Sequence, residues 1–301
     1  MAYYSGQAAS YQELFDVLVN ACVLNGWIWA DNILNKNDVY IRLLISTIGI
    51  TATGGSGKSG SNLLNSSPTS PRMGNMHASV NLPVFPVQYH IFIFDNEVYI
   101  KFKFNINSFY YLAFGKSQIS LAAANGLWIS ASACGAGTNS NSGGGVIISP
   151  TNGGAGGGVN PSPVAPFWNT NSYVNNWTNA VLMHGFDGVL WSSSSKHALA
   201  VSALSPLHTR QPSNWNNESI LLPINIYVTR PSNKRSLACQ IENARLLRID
   251  NHEPEQIIQL GADKWMVFPF YKKNINSRDG TGGTFGDHTG TFGWAIRYDG
   301  P

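Results

Sequence analysis

The sequence predicts an α+β protein that is predominantly β, with one capped N-terminal helix packed on an antiparallel sheet, followed by a β-rich, sandwich-like C-terminal unit. Composition is the first observation behind this class. Charged residues make up only 12% of the 301 residues and aromatic residues another 12%, with 30 Gly, which disfavours a coiled coil or a helical bundle. The second observation is that a single strong helical pattern precedes many short β-branched and aromatic runs bounded by turn residues.

The helix belongs to an N-terminal α+β unit that we assign to residues 1–120. Ser10 and Glu13 have the spacing of a capping box, in which each side chain accepts a hydrogen bond from a backbone amide at the start of the helix. Apolar residues then recur at helical spacing until Gly26 supplies a C-terminal stop. The β-branched run that follows predicts a strand meander, whereas the Gly-, Ser- and Asn-rich residues 51–71 predict a loop.

A hairpin is predicted over residues 88–105, with its turn near Asp95. The return arm alternates two lysines with three apolar residues, in the order Ile100, Lys101, Phe102, Lys103 and Phe104. The apolar face would therefore meet a core, while Lys101 and Lys103 would meet water or a partner chain. We accordingly expect the lysine face to be available for assembly.

A connecting segment over residues 121–165 is dominated in its second part by Gly, Asn, Ser and Pro. This composition is typical of a flexible linker, or of a long loop that neighbouring subunits order. The apolar triplet Val146, Ile147 and Ile148 favours the ordered loop, because bare β-branched residues promote aggregation. The triplet is therefore a candidate assembly segment.

Residues 166–301 form the predicted β-rich C-terminal unit. Short β-prone runs alternate there with turn residues, and Pro223 inside one such run predicts an edge strand or a bulge. The unit also contains tryptophans that stand beside Asn or Ser, a setting that suits glycan binding, a wet protein interface or an ordinary core position. The candidate glycan or interface aromatics are Trp168, Trp177, Trp191 and Trp215.

Charge and apolar patterning argue against several classes of partner. A net charge of +3 spread over the whole chain is too small for extensive phosphate neutralisation, so no nucleic acid is expected. The most apolar stretch, residues 39–50, contains Arg42 and is too short for membrane insertion. The first ten residues lack the pattern of a signal peptide, and the three Cys are too far apart in sequence for a disulfide framework or a Cys-x-x-Cys metal site.

Short catalytic motifs fail at the positions that their chemistry requires. The Gly-Lys-Ser triplets at 57–59 and 115–117 lack the first glycine of a phosphate-binding loop. His252 lacks the second histidine of a zinc-protease helix. Glu253 and Glu255 are expected to face solvent rather than a cleft, which disfavours glycoside hydrolysis. We therefore predict that the protein is not an enzyme and has no catalytic, cofactor-binding or metal-binding residues.

Long stretches at both ends and in the middle of the chain carry a further signal. They are, in order, MAYYSGQAASYQELFDVLVNACVLNGWIW, NILNKNDVYIRLLIS, TATGGSGKSGSNL, YHIFIFDNEVYIKFKFNINSFYYLAFGKS, RLLRIDNHEPEQIIQLGADKWMVFPFYKKN and HTGTFGWAIRYDGP. These stretches resemble a group of tailed-bacteriophage virion proteins encoded among tail and baseplate genes. The resemblance covers most of the chain but not its Gly-rich middle. It brings no catalytic or ligand-binding residues with it.

The resemblance implies a structural component of a bacteriophage tail, at the distal baseplate or tail tip, that acts through multi-copy protein–protein assembly. Its partners would be other tail or baseplate proteins and copies of itself. It would be synthesised in the host cytoplasm and located in the virion, with no cofactor. One alternative is a receptor-binding module of the tail that holds host-surface glycan, and a polysaccharide depolymerase is the least favoured alternative.

Overall fold

The structure of the chain is a computed structural model. It describes residues 1–75, 83–104, 106–119, 125–134, 180–183, 190–193, 198–199, 219–229, 232, 234–270, 272–273 and 292–300. Within these residues strands dominate and one helix is present, which confirms the predominantly β class.

The helix and strands follow one another along the chain with short connections over most of the described residues. In chain order they are β1 Ala2–Ala8, α1 Tyr11–Leu24, β2 Ile28–Ala30, β3 Ile33–Lys36, β4 Val39–Ser46, β5 Gly49–Gly55, β6 Gly57–Ser59, β7 Asn62–Leu64, β8 Arg72–Asn75, β9 Val87–Ile93, β10 Glu97–Phe104, β11 Ser108–Lys116, β12 Leu127–Ala131, β13 Ala133–Cys134, β14 Ala180–Met183, β15 Trp191–Ser193, β16 Ala198–Leu199, β17 Leu222–Thr229, β18 Arg235–Arg248, β19 Ile257–Leu260, β20 Asp263–Pro269 and β21 Phe292–Arg297.

The described strands form three large sheets and a small hairpin. The first sheet has the order β1-β9-β10-β11-β12-β14-β15, the second β13-β8-β5-β4-β3-β2, and the third β16-β17-β18-β21-β20-β19, while β6 pairs with β7. Neighbouring strands are antiparallel except for β13 and β8, which run parallel. Most strands pair with a strand close in sequence, as expected of hairpins and meanders.

The first sheet is the central layer of the molecule. On one face, Phe102 packs edge-on against Tyr11 of the helix, with ring centroids 6.1 Å apart. On the other face, Tyr111 packs against Trp294 of the third sheet at 4.9 Å. Both faces are therefore buried, and a single hydrophobic cluster contains side chains from the helix and all three large sheets.

The N-terminal helix is capped as the sequence predicts, with one change in detail. The Ser10 hydroxyl accepts a hydrogen bond from the Glu13 amide at 3.1 Å. The Glu13 carboxylate reaches back to the amide of Ala9 at 2.6 Å rather than to that of Ser10. Gly26 follows the helix with a φ of 82°, a left-handed conformation that glycine adopts without strain.

The prediction of a loop over residues 51–71 is wrong, because this stretch contains most of β5 and the β6–β7 hairpin. Two of its glycines, Gly54 and Gly55, lie in a strand where close packing leaves no room for a β-carbon. A β-carbon on Gly54 would lie 2.5 Å from Cη2 of Trp191, so only glycine lets strand β5 approach the first sheet at this point.

The prediction that the lysine face of β10 meets water or a partner is also wrong. The Lys101 side chain is fully buried, and that of Lys103 is only 23% exposed. The third sheet of the same chain covers this face, because Phe268 and Trp294 from β20 and β21 pack over it. The alternation of residues correctly separated the apolar face of β10 from its lysine face. It did not predict that another sheet covers the lysine face.

Strand pairing crosses the predicted unit boundaries. Strands β14 and β15, which follow residue 165, extend the first sheet, and β12 and β13 lie within the predicted connecting segment. The third sheet is formed by β16 to β21. Within it, the pairing of β17 with β18 shifts register between Pro223 and Ile224, so the ladder is irregular at the residue where the sequence predicts an edge strand or a bulge.

Candidate functional site

A buried carboxylate joins the first and third sheets. Glu97, at the start of β10, accepts hydrogen bonds from the Tyr99 hydroxyl at 2.8 Å and from the backbone amides of Glu242 and Asn243, both at 2.8 Å. The Asn243 side chain donates a fourth at 2.9 Å. Burial raises the pKa of Glu97, and these hydrogen bonds oppose the rise. The carboxylate thus holds one point of β18 against β10.

Lys101 forms a second buried polar contact between the same two sheets. Its ammonium nitrogen donates to the carbonyl oxygen of Pro269 at 3.0 Å. The same nitrogen lies 4.5 Å from the ring centroid of Phe268 and 4.8 Å from that of Trp294, distances that suit cation–π attraction. Burial lowers the pKa of Lys101 well below its ordinary value, because a charge is costly to remove from water.

A hydrogen-bonded chain of four side chains lies beside Lys101. The Tyr3 hydroxyl is 2.7 Å from Nδ1 of His90, and Nε2 of His90 is 2.7 Å from one carboxylate oxygen of Glu255. Lys103 donates to the other oxygen of Glu255. Burial raises the pKa of Tyr3, so its hydroxyl stays protonated at neutral pH and is a poor nucleophile. These four hydrogen-bonded side chains are therefore suited to holding β1, β9 and β10 against the turn that carries Glu255.

The expectation that Glu255 faces solvent is wrong. The side chain of Glu255 is 20% exposed, whereas that of Glu253 is 78% exposed. Burial acts to raise the pKa of Glu255, but hydrogen bonds from His90 and Lys103 outweigh it, so that the pKa is lowered. A left-handed backbone, with φ of 71° at Glu255, turns the chain at this position.

A polar cleft of about 490 Å³ opens where the first and third sheets meet near the β9–β10 turn. Its lining includes Phe94, Asn96, Gln118, Glu242, Arg297 and Asp299. These residues come from the β9–β10 turn, the segment just after β11, the middle of β18, and the end of β21 with the residues that follow it. Asn25 after the helix and Lys36 at the end of β3 also line the cleft. The volume falls within the ~300–1,000 Å³ that is usual for ligand pockets.

Several polar groups of the cleft are held in place by their neighbours. The Gln118 amide donates to the Glu242 carboxylate at 2.7 Å. The guanidinium of Arg297 lies 3.0 Å from the Asp263 carboxylate and 3.8 Å from that of Asp299. The cleft therefore presents oriented amide, carboxylate and guanidinium groups to any ligand that enters it.

Two sheets carry exposed apolar side chains on their outermost strands. Strand β2 ends the second sheet and β19 ends the third, and in the described part of the chain neither pairs with a strand on its outer side. Ile28 on β2 is 61% exposed, and Ile257 and Leu260 on β19 are 45% and 38% exposed. These end strands offer both backbone hydrogen-bonding groups and apolar side chains to another chain.

One of the four candidate tryptophans is described by the structure. Trp191 is buried, and its indole nitrogen donates to the carbonyl oxygen of Asn65 at 2.6 Å. Its ring belongs to the hydrophobic core, which leaves little of it for stacking on a sugar. Trp168, Trp177 and Trp215 lie outside the described residues, as does the candidate assembly segment Val146, Ile147 and Ile148.

In the part of the chain that the structure describes, no three His, Cys, Asp or Glu side chains come together as metal ligands. No helix among the described residues is long and apolar enough to cross a membrane. The thiols of Cys22 and Cys239 are free and buried, where a cysteine packs as a small apolar residue.

Comparison with known proteins gives no family to which the chain can be assigned. A scan against models of protein families finds no match, and a search of curated proteins finds no significant relative.

Neither the buried polar contacts nor the cleft is predicted from the sequence. Their members are far apart in sequence: His90 and Glu255 are separated by 165 positions. One local signal was present, because β11 is apolar or aromatic at every position from Phe109 to Phe114. Such a continuous run indicates a strand buried on both faces. Because Lys101 pairs with Tyr111 of this strand, the layer that covers β11 would cover Lys101 as well.

Proposed function

We propose that the protein is a non-enzymatic structural component of a bacteriophage tail, at the distal baseplate or tail tip, that acts through multi-copy assembly. The observation that carries the proposal is the pair of end strands, β2 and β19, with exposed apolar side chains. Strands of this kind add readily to a strand of another chain, which supplies main-chain hydrogen bonds and side-chain contacts together. The sequence resemblance to tail and baseplate proteins supports the location in the virion.

The layered architecture supports a load-bearing role. Buried polar contacts from Glu97 and Lys101 fix the third sheet to the first in a defined position, and the core continues through all layers. Close-packed interiors of this kind have low compressibility and transmit strain. The partners in this proposal are other tail or baseplate proteins and copies of the chain itself, and the segment Val146, Ile147 and Ile148 is a further candidate contact.

The assembly surface on β19 can be tested by competition within the virion. We expect the double variant Ile257→Lys, Leu260→Lys, co-expressed with the wild type during infection, to enter particles about tenfold less often or worse. Fully burying an exposed side chain of this kind contributes roughly 1.5–3 kcal/mol, and Ile257 and Leu260 have 45% and 38% of their surface left to cover. Together they therefore contribute about 1.4 kcal/mol or more, which corresponds to a factor of ten or more. Mass spectrometry of purified virions gives the ratio of the two forms.

The matched control is Gln259→Lys, which adds a charge to an exposed position of the same strand without removing apolar surface. It should enter virions as the wild type does, and melting curves should show that both variants fold. Equal incorporation of the double variant and the wild type would remove β19 from the proposed assembly surface.

The second candidate function is host attachment through glycan binding. The polar cleft favours it, since its lining is rich in neutral and charged hydrogen-bonding groups. If the tryptophans hold the glycan, the protein should bind on a glycan array, and Trp177→Ala or Trp215→Ala should abolish that binding. A depolymerase remains the least favoured candidate, and it would have to release reducing ends from host polysaccharide.

A further inference from the structure

We propose that the polar cleft between the first and third sheets is a binding site for an uncharged sugar ring, separate from the candidate tryptophans. The site is formed by Phe94, Asn96, Gln118, Glu242, Arg297 and Asp299. This inference goes beyond assembly and does not depend on it, because the site lies wholly within one chain. It also assigns glycan recognition to residues that no tryptophan motif identifies.

The charges around the cleft select among ligand classes. Lys36 and Arg297 supply two positive side chains, and Asp95, Glu242 and Asp299 supply three negative ones. The amino group of Met1 adds one positive charge, so the lining has no net charge. This balance disfavours phosphates and nucleic acids, which bind to clusters of positive charge. An uncharged ligand is not repelled by the carboxylates of the cleft, and its binding does not require the burial of an unpaired charge.

The hydrogen-bonding groups of the cleft match a polyhydroxy ligand. The lining contains four side-chain amides. Those of Asn25 and Asn243 already donate hydrogen bonds to neighbouring groups of the protein. Asn96 and Gln118 are therefore the amides that offer a ligand both a donor and an acceptor. Carboxylates and the Arg297 guanidinium add acceptors and donors that form stronger, charge-assisted hydrogen bonds. A sugar hydroxyl both donates and accepts, so neighbouring hydroxyls can use these groups in pairs.

The cleft is largely organised before a ligand arrives. Gln118 and Glu242 are already hydrogen-bonded to each other, and Arg297 lies between two carboxylates. The backbone beneath the site is fixed where Glu97 accepts the amides of Glu242 and Asn243. Because ordering of side chains opposes binding, this arrangement reduces the cost of holding a small ligand.

Phe94 gives the cleft an apolar surface. Its ring is partly buried and packs perpendicular to that of Tyr99, with centroids 5.9 Å apart. The ring is therefore held in one orientation at the edge of a polar site. An aromatic surface beside amides and carboxylates suits the mixed character of a pyranose, which has apolar C–H groups and polar hydroxyls.

The test is a titration of the full chain with glucose, galactose and N-acetylglucosamine, followed by nuclear magnetic resonance of side-chain amides. We expect at least one sugar to bind with a Kd on the order of 1 mM, with shifts in the amide signals of Asn96 and Gln118. The Gln118→Ala variant should weaken binding roughly five- to tenfold, as expected for the loss of a neutral hydrogen bond. Gln118 is exposed, so this substitution leaves the core intact.

The matched control is Gln259→Ala, which removes an exposed glutamine outside the cleft and should leave the affinity unchanged. Absence of binding by all three sugars would overturn the proposal. Binding that Trp177→Ala or Trp215→Ala abolishes and Gln118→Ala leaves unchanged would also overturn it. Neither result bears on whether the protein is present in virions. The sugar-site proposal can therefore be overturned while the assembly proposal stands, and the reverse.

Discussion

Lys101 shows how one residue can stabilise a layer contact and still cost free energy. The ammonium group is buried among Phe109, Phe268 and Trp294 and has one carbonyl partner. Its lowered pKa means that the unfolded chain binds more protons than the folded chain between the folded-state pKa and the ordinary value. Over that interval the free energy of unfolding rises with pH.

The Lys101→Met variant should lack this rise. We expect the wild type to gain stability as pH increases from neutrality toward the ordinary lysine pKa of 10.5, while the variant gains measurably less. Methionine keeps much of the volume and cannot be protonated, so the difference between the two curves isolates the titration of Lys101. Urea unfolding at a series of pH values gives both curves, and identical slopes would contradict the account of a buried, titratable ammonium.

Glu255 supplies the opposite pH dependence. Its folded-state pKa lies below the ordinary value of 4.5, so its stabilisation is present above that pH and is lost as pH falls through the folded-state pKa. We expect Glu255→Gln to lower the free energy of unfolding by about 1–2 kcal/mol at pH 7, between the values for surface and buried ion pairs. The difference from wild type should vanish in acid.

Glu253→Gln is the control for this prediction, because Glu253 is two residues away and 78% exposed. Its effect should stay within about 0.5 kcal/mol, as is usual for surface substitutions. Chemical denaturation of the three proteins at pH 7 and in acid measures both effects. Equal destabilisation by the two variants would show that the contacts of Glu255 with His90 and Lys103 contribute little.

At the scale of single elements, strand β5 depends on a glycine. Gly54→Ala would place a β-carbon 2.5 Å from Cη2 of Trp191 and 3.0 Å from side-chain atoms of Ile129 and Leu127. We expect a loss of about 1–3 kcal/mol in stability, as for other overpacked cores. Gly57→Ala is the control, since its nearest neighbour would be 3.4 Å away; thermal melting should show a clear drop for the first variant only.

The elements also show which parts of the fold the sequence predicts. The capping box at Ser10 and the hairpin of β9 and β10 depend on neighbouring residues, so local patterns predict them. Strand β5 escaped prediction because glycines usually mark loops, whereas Gly54 is required by the close approach of Trp191 from a distant part of the chain. Local patterns contain no information about such a contact.

The same limit applies to the candidate site. Alternation along β10 places Lys101 on one face of the strand, but only the tertiary fold brings Phe268 and Trp294 over that face. The cleft joins Asn96, Gln118, Glu242 and Arg297 from four separate stretches, and none of them belongs to a short motif. The sequence shows which polar residues are present, but the order of the strands in the sheets determines which of them lie next to each other.

At the scale of the whole molecule, the central sheet is buried on both faces and the outer two sheets end in strands with exposed apolar residues. A rigid interior with such edges suits a part that is held between neighbouring subunits. The polar cleft lies between the first and third sheets, away from the proposed assembly strand β19. The two proposals, assembly and sugar binding, can therefore be tested separately by substitution at β19 and at Gln118.

In the proposed function this chain is encoded by a phage, and quantitative mass spectrometry of that phage's purified virions tests the assembly function most directly. We expect the protein in several copies per particle, at a fixed ratio to the other tail and baseplate proteins. The ratio should survive washing at high salt, since apolar burial rather than surface charge would hold the edge contacts. Absence of the protein from virions, or a trace amount that high salt removes, would contradict the account.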